Sequence, residues 1–466
     1  MGTQPVDSQP SSSVVPDRHL AQVAALREQY RTLPPDAPVR LAKSTSNLFR
    51  FRAPAAHPGL DVRRFDRVLA VDPVARVAEV GGMTTYEDLA DATLAHGLMP
   101  FVVPQLKTIT LGGAVSGLGI ESSSFRNGLP HESVREMEIL TGDGRVVVAT
   151  RDNEYADLFR GFPNSYGTLG YVLRLRIDLE PVKPFVRLRH VRFRTAADCA
   201  AAISRICADR EYEGRPVDFV DGTVFSRGAQ FLTLADFVDR APEVSDYTGR
   251  EIYYRSIPFT GVDHLTVRDY LWRWDTDWFW CSKALGVQDP WVRGIWPRRY
   301  LRSDVYRKLV ALDRRHGISR RLQALVGAGR SEPVIQDVEI PVDRLEDFLD
   351  FFHSEIGITP VWLCPLRVRD DTRWPLYPLD PDTLYVNVGF WSSVRLAPGE
   401  QDGTHNRRIE RVVADLGGHK SLYSTSYYPE RDFWRHYNGD TYQALKRTYD
   451  PDGRLPDLYD KCVRGR

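Results

Sequence analysis

Residues 108–128 read TITLGGAVSGLGIESSSFRNG, and five of these twenty-one positions are glycine: Gly112, Gly113, Gly117, Gly119 and Gly128. Few folds use such a run in mid-chain. Without a Cβ, the backbone can approach a flat or charged group closely. Successive N–H groups in a glycine-rich loop form a concave site for an anion. Thr110 and Ser122–Ser124 add hydroxyl donors. The run therefore suits a ligand that is both planar and phosphorylated. The competing reading is a glycine-rich surface loop that binds nothing.

Two common nucleotide signatures do not match. The Rossmann fingerprint needs GxGxxG between a strand and a helix, with an acid about 20 residues further on. Here the glycines run into Ile120-Glu121-Ser122-Ser123-Ser124, which does not continue as an amphipathic helix. The Walker pattern GxxxxGK[ST] is absent. Two further segments point the same way as the main run. Leu41–Leu48, reading LAKSTSNL, is a small polar turn with Ser44, Ser46 and Asn47 placed for phosphate. Tyr166-Gly167-Thr168-Leu169-Gly170 is a second glycine turn leading into a strand.

Around these loops the chain alternates strand and helix. Val68–Val71 and Val77–Val80 predict a hairpin, as do Met137–Leu140 and Val146–Val148 about Gly142-Asp143-Gly144. Thr84 with Glu87 predicts a capping box that opens a helix ended by Gly97. Leu98–Val103 reads as a short strand before Pro104. Leu173, Leu175, Ile177 and Leu179 alternate with Arg174, Arg176 and Asp178, which predicts a strand with one wet face. A helix is expected from Asp17, with Leu20, Val23, Leu26 and Tyr30 on one side. Beyond Pro181 and Pro184, a helix at Thr195–Arg210 and strands near Phe231, Val334–Ile340 and Leu384–Val388 suggest an antiparallel sheet backed by helices. Leu345, Phe348, Leu349 and Phe352 give a helical face.

Composition narrows the class. With 42% hydrophobic and 27% charged residues, the 466-residue chain reads as globular, with room for two or three domains. The formal charge is zero, which offers no argument for nucleic acid. Five cysteines without a CxxC pair speak against a structural zinc site or a disulfide framework, so no metal is expected and a reducing cytosol fits. Residues 1–16 are rich in Ser, Pro and Gln and read as disordered, with no apolar stretch of the signal-peptide kind. No run of 18 apolar residues predicts a membrane span. The expected location is cytoplasmic.

Longer stretches match a known family. TLGGAVSGLGIESSSFRNGL (110–129), YGTLGYVLRLRI (166–177), TPVWLCPLR (359–367), RDFWRHYNGDTYQALK (431–446) and LPDLYDKC (455–462) resemble the Δ24-sterol reductases, the Diminuto/seladin-like group of FAD-linked oxidoreductases with the vanillyl-alcohol-oxidase (PCMH-type) fold. The resemblance runs from about residue 40 to the C-terminus. It implies an α+β protein: a two-subdomain FAD-binding lobe over 36–180, and a cap with an antiparallel sheet and helices over 181–420. A C-terminal segment, 421–466, would return to the lobe, and 1–35 would be a tail with a helix. FAD contacts carry over to Thr110, Gly112, Gly113, Gly117, Gly119, Glu121 and Ser122. Pro104, Leu111, Ser123, Gly128 and Gly170, with Ser44, Ser46 and Asn47, complete the candidate set. The loop Lys43–Asn47 has no His or Cys for covalent attachment, so the flavin is expected to be noncovalent.

The implied reaction is reduction of an isolated C=C bond with NAD(P)H as electron donor. It needs a hydride on one carbon and a proton on the other. Tyr423, Tyr427 and Glu121 are the candidate catalytic residues, and His436 is a further candidate proton donor. Each tyrosine has packing as its plainer role. The implied substrate is a lipid, either a Δ24-sterol or an unsaturated or methylene-bearing acyl chain. An FAD-linked oxidase or dehydrogenase of an alcohol or hydroxy acid, and a non-catalytic flavoprotein or lipid carrier, are the alternatives. Residues 248–302 hold six of the ten tryptophans amid eight arginines. That mixture suits either peripheral contact with a membrane or the hydrophobic core of a cap.

Overall fold

The computed structural model describes residues 16–35, 37–43, 59–316 and 329–465. Two large sheets dominate. The first has six strands. Val68–Asp72, Val77–Gly81, Gly170–Pro181, Val134–Thr141 and Val146–Thr150 follow one another edge to edge, and Leu98–Pro100 pairs with the far end of Gly170–Pro181. Both predicted hairpins are present, with Val71 opposite Ala78 and Ile139 opposite Val147. A separate parallel pair joins Leu41–Ala42 to Leu60–Asp61.

Several local expectations shift. The helix Tyr86–Leu94 is capped by Thr85 rather than Thr84. The Thr85 hydroxyl accepts from the Asp88 N–H at 3.2 Å and bonds its carboxylate at 2.6 Å. Glu87 is thereby released to pair with Arg302 and Lys107. The expected strand from Leu98 stops at Pro100. The N-terminal helix Asp17–Thr32 buries His19 beside Val23, Leu26 and Tyr30, while Leu20 is exposed. The polar face of Gly170–Pro181 is only partly wet: Arg176 and Asp178 are half-buried, and Arg174 is covered. Arg174 is 4% exposed and its guanidinium is gripped by Glu79 and Glu136, each at 2.5 Å. Strands on both sides supply these carboxylates, so alternation marks the two faces correctly but does not reveal that the polar one is covered at Arg174.

The second sheet has eight strands. Edge to edge they are Val262–Thr266, Phe185–Phe193, Ala229–Val238, Phe219–Ser226, Val361–Leu366, Tyr385–Arg395, Ser331–Pro341 and His419–Lys420. All its pairings are antiparallel. One face is closed by helices. Ala196–Asp209 is capped by Thr195 and buries Cys199, Ala202, Ile203 and Ile206 at helical spacing. Leu345–Glu355 buries Leu345, Phe348, Leu349 and Phe352 on the same core as Val338, Val388 and Leu363. Period-2 alternation sends the intervening residues, among them Trp362, Asp337, Glu339, Gly389 and Trp391, to the opposite face. That face meets the first sheet's lobe.

The chain's last stretch packs on the lobe. Tyr449 donates to Asp157 at 2.7 Å, Lys446 donates to the Thr168 carbonyl at 2.9 Å, and the Val39 N–H donates to the Arg454 carbonyl at 2.7 Å. Trp272, Trp274, Trp278 and Trp280 of the tryptophan-rich stretch are buried in the cap, whereas Trp291 is 87% exposed. Among the described residues, no helix is long and apolar enough to cross a membrane.

Candidate active site

The glycine run folds as a short helix, Leu111–Gly117, followed by an extended crossing, Leu118–Ile120. Thr110 caps the helix by accepting from the Gly113 N–H at 3.2 Å. The Leu111 and Gly112 N–H groups donate to the Thr84 and Gly82 carbonyls, each at 2.9 Å. The expectation of a string of open N–H groups is therefore corrected at these two positions, because they dock the helix on its neighbouring segment. A Cβ on Gly112 would lie 2.6 Å from the Gly82 oxygen, so glycine is needed there for close packing. At Gly117 the neighbour is the Tyr166 ring, which a Cβ would meet at 2.9 Å. The Tyr166 hydroxyl donates back to the Gly117 carbonyl at 2.6 Å. Gly119 is wedged between Pro104 and Pro130, and Gly128 lies over the Glu132 carboxylate. Gly113 differs: an added Cβ would meet only its own cap, the Thr110 hydroxyl at 2.8 Å. Its open side faces a cleft.

The cleft has two connected ends. The first, of about 310 Å³, lies between the lobe and the cap. Pro104, Leu106, Ile109, Gly113 and Leu118–Ile120 form one wall; Trp278, Phe279, Trp362, Trp391, Asp337 and Tyr423 form the other. The second, of about 280 Å³, is edged by Gly112 and Gly170 and carries Arg40, Lys43 and Lys461. Lys43, Thr110, Gly113, Ser116 and Tyr166 border both. An aromatic slot joined to a cluster of three cations matches a molecule with a flat ring at one end and a diphosphate at the other. FAD has that form, and the residues present fit it. The aromatic end and Gly113 would hold the ring, and Arg40, Lys43 and Lys461 the phosphates. Cys281 also lines the slot, but burial pushes its thiol up to about 12, which leaves it a poor nucleophile for attachment.

Not every candidate reaches this space. Thr110, Pro104, Gly112, Gly113, Gly117, Gly119, Gly170 and Tyr423 border it. Leu111 and Gly128 serve packing instead. Glu121, Ser122 and Ser123 are buried behind the wall. Glu121 accepts from the Ser122 hydroxyl at 2.6 Å and pairs with Arg273 at 3.2 Å. Arg273 also holds Asp221 at 3.0 Å, and the Trp274 and Trp362 indoles donate to the same Asp221 oxygen at 3.1 and 3.2 Å. Burial raises the Glu121 pKa and Arg273 opposes the rise. Glu121 thus joins lobe to cap rather than facing the cleft. Tyr427 and His436 are elsewhere. The Tyr427 N–H donates to Glu410 at 3.0 Å and its ring lies by Gly403 and Arg407, while His436 stacks by Tyr428. Ser44, Ser46 and Asn47 lie outside the described residues.

Sequence reasoning missed much of the cap wall. Trp278 and Phe279 are consecutive non-glycine residues with φ of +47° and +59°. Such conformations cost energy and persist where the surroundings enforce them; here they place two rings on the cleft. Arg307, Cys281 and Asp337 also line it. Asp337 and Glu339 did carry a signal, because acids alternating with Val338 and Ile340 in a strand imply a polar inner face.

Comparison with known proteins agrees with this geometry. Residues 14–150 match the family model described as an FAD binding domain. A Delta(24)-sterol reductase of Arabidopsis thaliana is 27% identical over 449 residues, covering 88% of this chain and 78% of its own. The Delta(24)-sterol reductase of Homo sapiens is 27% identical over 423 residues with the same two coverages. Cytokinin dehydrogenase 2 of Oryza sativa subsp. japonica is 34% identical over 165 residues, 34% of this chain. The chain is thus similar to Delta(24)-sterol reductases along most of its length, and its residues 14–150 match an FAD binding domain.

Proposed function

We propose that the chain reduces an isolated carbon–carbon double bond in a lipid, with noncovalent FAD as cofactor and NAD(P)H as electron donor. The observation that carries this reading is the make-up of the aromatic end of the cleft: Leu106, Ile109, Leu118, Ile120, Trp278, Phe279, Trp362 and Trp391 surround the place where a ring would lie. An alkene offers no polar handle, so such a wall suits it. A hydroxy acid would call for a cluster of cations at that end; there Arg307 stands beside an otherwise aromatic and aliphatic wall, while Arg40 and Lys461, with Lys43 between the two ends, cluster at the other. Bound FAD would supply a hydride to one alkene carbon and be recharged by the nicotinamide. The chain's own residues would orient the lipid, exclude water and provide the proton. The substrate class is a Δ24-sterol or an unsaturated or methylene-bearing acyl chain.

Anaerobic mixing tests the reading. NADPH should bleach the flavin, and a Δ24-unsaturated sterol or an unsaturated phospholipid in micelles should restore its colour. Bleaching by an alcohol or hydroxy acid instead would favour an oxidase, and no response to any donor would favour a carrier.

The lipid would be met at the cytoplasmic face of a membrane. Trp291 and Ile295 are 87% and 85% exposed one turn apart on the helix Pro290–Ile295, with Arg298 and Arg299 just beyond. Apolar and basic groups together suit an anionic interface. The double substitution Trp291→Ser/Ile295→Ser should change stability by under about 0.5 kcal/mol and release the protein from sedimenting anionic vesicles. Unchanged sedimentation would remove this surface from the proposal.

A further inference from the structure

Asp337 and Glu339 lie two apart on the strand Ser331–Pro341 and share the face turned to the lobe. In the sheet Asp337 is opposite Gly389, which is opposite Trp362. A Cβ at residue 389 would come within 2.6 Å of Asp337 Oδ1 and 2.8 Å of the Trp391 ring. The Asp337 carboxyl therefore reaches across the neighbouring strand over a position that only glycine leaves open. Asp337 lines the aromatic cleft together with Trp362, Trp391, Ser421 and Tyr423. Its Oδ1 is buried without a hydrogen-bond partner among the described residues. A buried carboxyl oxygen lacking a partner is costly as an anion and far less so as a neutral acid.

Behind it stands a second acid. Glu339 is fully buried, accepts a hydrogen bond from the Tyr377 hydroxyl, and has the Ser421 hydroxyl 3.4 Å from its Oε1. Ser421 is fixed to the same strand, because its N–H donates to the backbone carbonyl of Asp337 at 3.0 Å. On the neighbouring strands Gly389 lies opposite Asp337, with Trp362 beyond it, and Asn387 and His419 flank Glu339.

We propose that Asp337 is the acid that delivers the proton to the second carbon of the reduced double bond, and that Glu339 holds the replacement proton behind it. This rests on the reductase reading above. The reduction adds a hydride and a proton across the alkene. Reduced FAD, when bound, would supply the hydride. As the π bond breaks, the Asp337 O–H bond breaks too, and its proton forms the new C–H bond. The carboxylate left behind takes a proton relayed from Glu339, which is refilled from water. One NAD(P)H and one proton are consumed for each alkene.

The protonation states agree. Burial pushes Asp337 up to about 7, with only the Asn387 side chain lowering it. Burial pushes Glu339 up to about 8, and the nearby Asp337 adds to the rise. A general acid works best with a pKa near the operating pH. The other titratable groups bordering the cleft are Tyr423 on the returning segment, Cys281 and Arg307 on the cap, and Lys43 and Tyr166 on the lobe, while Glu339 is faced by Tyr377 and, from the adjoining strand, by His419, whose pKa burial lowers to about 4. Tyr423 and Cys281 are held well above neutrality by burial, so neither changes charge in the same range.

The test uses the full-length, flavin-loaded chain and the variants Asp337→Asn, Asp337→Glu and Glu339→Gln. Each is first bleached with NADPH and then mixed with a Δ24-unsaturated sterol, dioleoyl phospholipid or methylene-acyl phospholipid in micelles. In parallel, the infrared band of protonated carboxyl groups is followed against pH without any substrate. Asp337→Asn should keep its flavin and its bleaching by NADPH, while recolouring slows by about 100-fold or more, the usual weight of a general acid. Asp337→Glu should recover much of the rate, and Glu339→Gln should lose only about 10-fold. Wild-type recolouring should fall as pH rises through about 7, and Asp337→Asn should lose that limb. The wild-type infrared spectrum should lose a carboxyl band over the same range, and Asp337→Asn should lack that band. Wild-type recolouring rates in Asp337→Asn, or an Asp337 already ionised well below neutral pH, overturn the assignment. If the band titrates as stated but no alkene recolours the wild-type flavin, the reductase reading falls and takes the proton role with it.

Discussion

The two walls of the cleft are built in opposite ways. The lobe wall is contiguous: Thr110 to Ile120 supplies a cap, a two-turn helix and an extended crossing within eleven residues. The cap wall is scattered: Trp278 with Phe279, Asp337, Trp362, Trp391 and Tyr423 come from five places along about 150 residues, and three of them meet only because three strands align. A contiguous wall leaves a motif in the sequence. A scattered wall leaves only alternation, which says that a residue faces inward but not what it faces.

Substitution at neighbouring glycines breaks the lobe wall in two distinguishable ways, and the effect is the largest expected. Gly113→Val should abolish flavin binding in a protein that still folds, because the space outside Gly113 is cleft apart from its own cap oxygen. Gly112→Val should unfold or fail to express, because its Cβ would strike the Gly82 carbonyl and Val172. Flavin content and circular dichroism on the two proteins separate the outcomes. Equal flavin loss with equal unfolding would show that the helix serves packing alone.

The walls are fastened together by charge. Arg273 bridges Glu121 of the lobe and Asp221 of the cap, and its guanidinium lies 4.0 Å from the centre of the Tyr270 ring. Arg273→Met would leave two buried carboxylates facing each other, and should cost about 3–5 kcal/mol by chemical denaturation. A cost under about 1 kcal/mol would mean that the aromatic packing, not the ion pairs, holds lobe to cap.

The same contrast governs what is legible in the sequence. The glycine run, both hairpins, the Thr195 helix and the Leu345 face follow from local chemistry and can be read directly. Alternation alone makes Arg174 look wet, because its partners Glu79 and Glu136 come from strands on either side. Nearness in sequence puts Glu121 on the flavin, yet one residue beyond Ile120 the chain turns behind the wall. Tyr427 sits four residues from Tyr423 and shares its aromatic surroundings in sequence, but its N–H is tied to Glu410 and its ring lies over Arg407. Asp337 shows in the sequence only through its alternation with Val338, Glu339 and Ile340, which marks a polar face without saying what that face meets. Its meaning depends on Gly389 and Trp362, which only the sheet register brings beside it.

Tyr423→Phe sharpens the division of labour on the cap wall, with the smallest expected effect. The Tyr423 hydroxyl accepts from the Trp391 indole at 2.8 Å, and burial holds its pKa well above 10. A hydroxyl in that state is a reluctant acid, and its plainer task is to fix the Trp391 ring. Removing it leaves a half-buried indole N–H unpaired, which should cost about 1 kcal/mol of stability and leave flavin in place. Turnover should fall by less than about 10-fold, through a looser ring, with the pH profile unchanged. A far larger fall, together with loss of the alkaline limb, would move the proton from Asp337 to Tyr423, because a group that only steadies an indole cannot set the pH dependence of the chemical step.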